Sequence, residues 1–172
     1  MSKITGIKAK IIAKNYKEAM KNKGYAFFEK GDYNLNIVGI RSGSGRADVF
    51  DDCVSLIYKA SGDWIVDNYI ITTEPGISIL KRPIKEVRHK GTAILVPGQY
   101  RGSHKIRLHQ GKYEALGQRK PVKVYRDNDL DDVYDTDEAT ITEGVYGINI
   151  HRSNPYDKSY YVNKWSAGCQ VF

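Results

Sequence analysis

Apolar residues Ile4, Ile7, Ile11 and Tyr16, with Ala19 and Met20, recur at three- and four-residue steps, and lysines fill the opposite face. That period predicts an amphipathic helix ending near Gly24 or Gly31. From Tyr33 onward the period becomes two. Tyr33, Leu35 and Ile37 alternate with asparagines, and Phe50, Val54, Leu56 and Tyr58 share a face opposite Asp51, Cys53, Ser55 and Lys59. Residues 64–73, 92–96, 122–125 and 145–150 also read as strands, separated by turn formers at Ser42-Gly-Ser-Gly45, Ser61-Gly62, Pro75-Gly76 and Pro97-Gly98. Gly111–Gln118 reads as a short helix or turn. The pattern predicts a mostly β (α+β) fold. Residues 1–31 form a basic amphipathic helix, and residues 32–172 form a β-rich domain, sandwich- or barrel-like.

Charge sharpens this picture. The first thirty residues hold eight lysines and two glutamates, whereas the rest of the chain is nearly balanced. Such a segment suits an anionic polymer or membrane surface as partner; the plain alternative is a solvated helix face. The cluster Asp127, Asp129, Asp131, Asp132, Asp135, Asp137 and Glu138 lacks the glycine and terminal glutamate of a calcium loop, and reads as a solvated loop.

Composition removes several classes. An apolar share of 41% is enough for a packed core. Thirteen tyrosines against four phenylalanines point to rings with one wet edge. The longest charge-free run, Gly91–Tyr100, is ten residues, and a membrane-spanning helix needs about twenty. Two cysteines make no disulfide framework. No apolar leader opens the chain, which predicts synthesis in the cytosol without a signal peptide.

Four histidines and two cysteines are the candidate nucleophiles, bases and ligands. Cys53 lies within an alternating strand and reads as a packed thiol. Cys169 follows Trp165-Ser-Ala-Gly168, a small-residue turn able to aim successive N–H groups at one point, as an oxyanion hole requires. His151 ends a predicted strand, where its ring is expected at a sheet edge facing solvent. An imidazole near a thiol can accept its proton and later protonate a leaving amine. Trp165 adjoins the turn and reads as a cleft wall. His104 and His109, five apart in a basic loop, are a weak zinc pair, without His-x-x-x-His or Cys-x-x-Cys spacing.

Ile148-Asn-Ile-His151 followed by Ser166-Ala-Gly-Cys169 resembles the signature of the L,D-transpeptidase family of cell-wall enzymes. Tyr100–Asp127, with Arg107-Leu-His109 and Lys123-Val-Tyr-Arg-Asp127, is similar to phage-encoded relatives. The resemblance implies a β-sandwich-like L,D-transpeptidase-type domain with Cys169 as nucleophile and His151 as general base. It gives Gly168 and Cys169 as oxyanion donors and Ser166 as the hydroxyl shaping the turn. The pattern differs at three places: Arg152 and Ala167 stand where glycine and histidine are common, and Val171 where many members carry arginine. Arg152 is thus a candidate substitute for the missing cation, with Trp165 and His109 lining the substrate side.

On that resemblance the partner is bacterial peptidoglycan rather than nucleic acid. The expected activity is a stem-peptide hydrolase, endolysin-like, working through a thioester without cofactor or metal. Such an enzyme would reach the cell wall once the membrane is permeabilised, with the lysine-rich helix on anionic envelope polymers or membrane. Cross-link formation by the same thioester, a non-catalytic module binding envelope or nucleic acid, and a zinc peptidase are the alternatives.

Overall fold

The computed structural model describes residues 2–85 and 90–172, so His89 lies outside the described residues. The chain divides into two compact units, one of Met1–Ile40 with Asp52–Ile70, the other of Arg41–Asp51 with Ile71–Phe172. The expected division after residue 31 is therefore displaced, because the helix shares a core with the strands that follow it. Strands predominate, and the fold is mostly β of α+β type.

The first unit contains β1 (Ser2–Ile4), α1 (Gly6–Asn22), β2 (Asn36–Ile40), β3 (Asp52–Ala60) and all but the last residue of β4 (Asp63–Ile71), in sheet order β1-β4-β3-β2. Helix α1 stops at the nearer predicted glycine. Gly24, at φ 71°, donates to the Lys21 carbonyl, and Tyr25 N–H reaches back to Met20. This pair of bonds closes the last turn as a Schellman motif.

The buried side of α1 is not the isoleucine side. Ala9 and Ala13 pack against Ile57 and Val66, with Ile4, Ile12, Tyr16 and Trp64 around them. Ile7 and Ile11 are 81% and 54% exposed. At 100° per residue they lie about 160° from Ala9, and the small alanines let the helix approach the sheet closely. On β3 the face toward α1 carries Ile57 and Ser55, whose Oγ lies 2.9 Å from the Tyr16 hydroxyl. Ser61 and Gly62, at φ 51° and 82°, turn β3 into β4, and the Asp32 carboxylate accepts from both their N–H groups.

The second unit follows with α2 (Ile77–Lys81), β5 (Thr92–Leu95), β6 (His104–His109), β7 (Tyr113–Gln118), β8 (Val122–Asp127), β9 (Thr142–Gly144), β10 (Ile150–His151) and β11 (Gln170–Val171). Two sheets result, of order β5-β8-β9 and β11-β10-β7-β6. Ala93, Val122, Val124 and Ile148 form a buried cluster, edged by Leu95, Tyr100 and Tyr146.

Three expectations change in this unit. Gly111–Gln118 is not a helix: most of it is β7, paired antiparallel with β6, so His104 and His109 stand on a strand rather than in a loop. The hairpin closes through Gln110 and Gly111 at φ 50° and 73°, and glutamine is a poor signal for a left-handed residue. Residues 145–149 form no strand, because Tyr146 N–H and Ile148 N–H donate to the buried Gln118 Oε1 at 3.0 and 2.8 Å. In the acidic segment, side chains of Asp129, Asp131 and Asp137 accept backbone N–H groups two residues on, while Asp127 is buried and accepts from Asp135 N–H. Among the described residues, no helix is long and apolar enough to cross a membrane.

Candidate active site

Two short strands bring the predicted thiol and imidazole together. β10 and β11 run parallel, with Ile150 opposite Gln170 and His151 opposite Val171. Gln170 N–H donates to the Asn149 carbonyl and Phe172 N–H to that of His151, so the pairing extends one residue each way. Cys169 thus stands beside Asn149, and side-chain alternation puts Cys169 and His151 on one face. Strand spacing and rise set their Cα atoms about 8 Å apart.

The turn before Cys169 is built from the inside. Ser166 is fully buried; its Oγ donates to the Cys169 carbonyl at 2.8 Å and accepts from Gly168 N–H at 3.1 Å. Gly168 adopts φ 121°, and a Cβ there would overlap the Ala93 carbonyl oxygen. Only glycine fits. The Gly168 N–H is spent on Ser166, which removes it from the expected pair of oxyanion donors. Cys169 N–H bonds to no acceptor among the described residues.

His151 is 3% exposed, against the expectation of a solvent-facing ring. Its Nδ1–H donates to the Arg152 carbonyl at 2.8 Å, with the Tyr113 hydroxyl at 3.2 Å. That fixes the tautomer, leaving Nε2 with the lone pair a general base needs. The ring stacks on His109 at 4.1 Å between centroids, and Asn149 Nδ2 donates to His109 Nδ1 at 3.2 Å. Burial above all, and the neighbouring His109, push His151 down to about 4, against the pull of the Arg152 carbonyl. Burial, then Lys112, also lowers His109. Both rings are neutral at pH 7.

The thiol is neutral as well. Burial raises the Cys169 pKa, opposed by the Asn149 backbone N–H, and Sγ donates to the Gly147 carbonyl at 3.4 Å. The resting hydrogen bond of the thiol therefore runs to backbone and not to His151. Thiol and imidazole are thus both uncharged at rest, which is not a preformed thiolate–imidazolium pair.

His151 borders a cavity of about 380 Å³, whose lining includes His109, Lys112, Tyr113, Arg152, Lys164 and Trp165 but not Cys169. The predicted His109, His151, Arg152 and Trp165 meet here; Ser166, Gly168 and Cys169 build the adjoining turn. Arg152 places its guanidinium 4.4 Å from the Tyr113 ring centroid. Tyr113, Asn149 and Gln118 were not foreseen, and the available signal for Tyr113 was its alternation with Ala115 and Gly117 after Gly111.

The zinc alternative fails on geometry. His104 and His109 are five apart on one strand and point to opposite faces. His104 Nε2–H donates to the Ile148 carbonyl at 2.8 Å, tying β6 to the segment before His151. No family model, no curated protein and no solved structure matches the chain.

Proposed function

We propose that the second unit is a cysteine-dependent hydrolase of peptidoglycan stem peptides with an L,D-transpeptidase-type fold. The observation carrying this reading is the Nδ1–Arg152 carbonyl bond, which leaves Nε2 of His151 unprotonated on the face it shares with Cys169. In the proposed reaction Cys169 rotates away from the Gly147 carbonyl, passes its proton to Nε2 and attacks a peptide carbonyl. Cys169 N–H stabilises the developing oxyanion. Collapse breaks the C–N bond, His151 returns the proton to the departing amine, and a thioester remains. Water, deprotonated by His151, then releases the carboxylate and restores the thiol.

Lys112, Arg152 and Lys164 give the cavity a cationic wall suited to substrate carboxylates, with Trp165 as an apolar side. Acting at the cell wall after membrane breach, the enzyme would be held on an anionic envelope by α1. The residue two positions beyond the cysteine is Val171, fully buried, which offers no cation for an acceptor strand. Water is therefore the assigned acceptor, with cross-linking by an amine as the second reading.

Purified peptidoglycan digested with the wild type and with Cys169→Ala, followed by mass analysis in H2¹⁸O, tests this. Shortened stems or opened cross-links carrying the label, absent from the variant digest, are expected. New cross-linked dimers would restore transpeptidation. An unchanged digest, or equal products from both proteins, would leave Cys169 a packed thiol in a binding module, the reading that the Sγ–Gly147 bond favours.

A further inference from the structure

We propose that the outward face of α1 docks on an anionic lipid bilayer, lying flat with Ile7 and Ile11 inserted between headgroups. This deepens the envelope attachment suggested above. Lys10, Lys14, Lys17 and Lys21 follow one another at steps of four, three and four residues, which lines them along one side of the helix. Ile7 and Ile11 stand beside that stripe, 81% and 54% exposed, on the side away from the sheet. Ile11 also lines a groove of about 340 Å³ that holds Phe27 and Trp64 together with three of the stripe lysines and Glu29.

Charge argues for the occupant. The helix carries Lys8 and the four stripe lysines against Glu18 alone. Lys14 pairs with Glu18 at 3.9 Å and Lys17 with Glu29 at 2.7 Å, whereas Lys10 and Lys21 have no ion pair among the described residues. A soluble polyanion would satisfy the lysines and leave the isoleucines in water. A bilayer with anionic headgroups over an acyl interior satisfies both, which is the arrangement of an interfacial helix.

The test is co-sedimentation of the full chain with phosphatidylcholine vesicles, with and without phosphatidylglycerol, and with polyphosphate or DNA as competitor. Binding to the anionic vesicles alone is expected. Lys10→Gln with Lys21→Gln should weaken it roughly 25-fold at low salt, from about fivefold per lysine. Ile7→Ser with Ile11→Ser keeps the charge and should weaken it by about tenfold or more. These four side chains are exposed, and circular dichroism checks that the variants stay folded. No binding to anionic vesicles, or isoleucine variants that bind like wild type, would overturn the proposal. Tighter binding to polyphosphate or DNA than to vesicles would replace the bilayer with a soluble polyanion. Because the assay contains no peptidoglycan, its outcome is independent of the proposed hydrolysis.

Discussion

The Tyr113 hydroxyl lies 3.2 Å from His151 Nδ1 and 3.2 Å from the Arg152 carbonyl that the same nitrogen addresses at 2.8 Å. The three groups form a closed triangle that holds the imidazole plane. β7 supplies the tyrosine and β10 the histidine, so pairing in the second unit's sheet sets the angle of the imidazole.

Tyr113→Phe should remove the hydroxyl while keeping the ring that carries Arg152. Loss of one hydrogen bond of about 1 kcal/mol predicts a fivefold to tenfold fall in kcat with KM little changed. The measurement is steady-state turnover of a soluble stem peptide, beside a thermal melt. Wild-type turnover from a folded variant would show that the triangle does not position the base.

The low proton affinity of His151 predicts an unusual pH profile. Free histidine titrates near 6.5 and this ring near 4, so activity that needs a neutral base should persist to pH 5 and fall only near pH 4. Stability follows the same shift. Between pH 6.5 and about 4 the unfolded chain takes up a proton that folded His151 refuses, so stability declines as pH falls and levels off below the folded value. The loss amounts to about 3 kcal/mol. His104 and His109, also lowered by burial, act in the same direction. Urea melts from pH 4 to 8 measure it, and a stability independent of pH across that range would contradict the buried neutral ring.

The period of the sequence disclosed the helix and strands β2, β3, β4, β5 and β8, because alternation and the 3.6-residue repeat are imposed by which face is buried. It misassigned the face of α1, since large isoleucines carry a stronger pattern signal than the alanines that allow close approach. Strand 145–150 was misread because Gln118, distant in sequence, takes the N–H groups a neighbouring strand would have taken. The turn at Ser166–Cys169 was legible from local chemistry. Tyr113 was not, since its partners are 38 and 39 residues away.

Reactivity of the thiol offers a direct check on the neutral pair. With its pKa raised by burial and its proton on the Gly147 carbonyl, Cys169 should react slowly with iodoacetamide at pH 7. Its rate should climb through pH 9 and beyond without a plateau near neutrality. Mass spectrometry of the peptide containing Cys169 follows the modification, and activity should fall in step with it. Rapid labelling at pH 6, the mark of a thiolate–imidazolium pair, would refute the neutral assignment.

Gly168 and Ser166 divide the work of the turn, and their substitution should separate shape from chemistry. Gly168→Ala places a Cβ against the Ala93 carbonyl at a φ of 121°, which side chains rarely adopt. Strain and overlap together should cost about 3 kcal/mol, seen as a fall of roughly 10 °C in Tm. Ser166→Ala adds no atoms. It leaves the Gly168 N–H buried without its acceptor and the Cys169 carbonyl without its donor, a cost of about 1–3 kcal/mol. Were Gly168 N–H an oxyanion donor, freeing it from Ser166 would preserve or raise kcat. Because the hydroxyl instead holds the cysteine in register with Asn149, kcat per folded molecule should fall in Ser166→Ala. A gain in turnover there, or a wild-type Tm in Gly168→Ala, would reverse the roles assigned to the two residues.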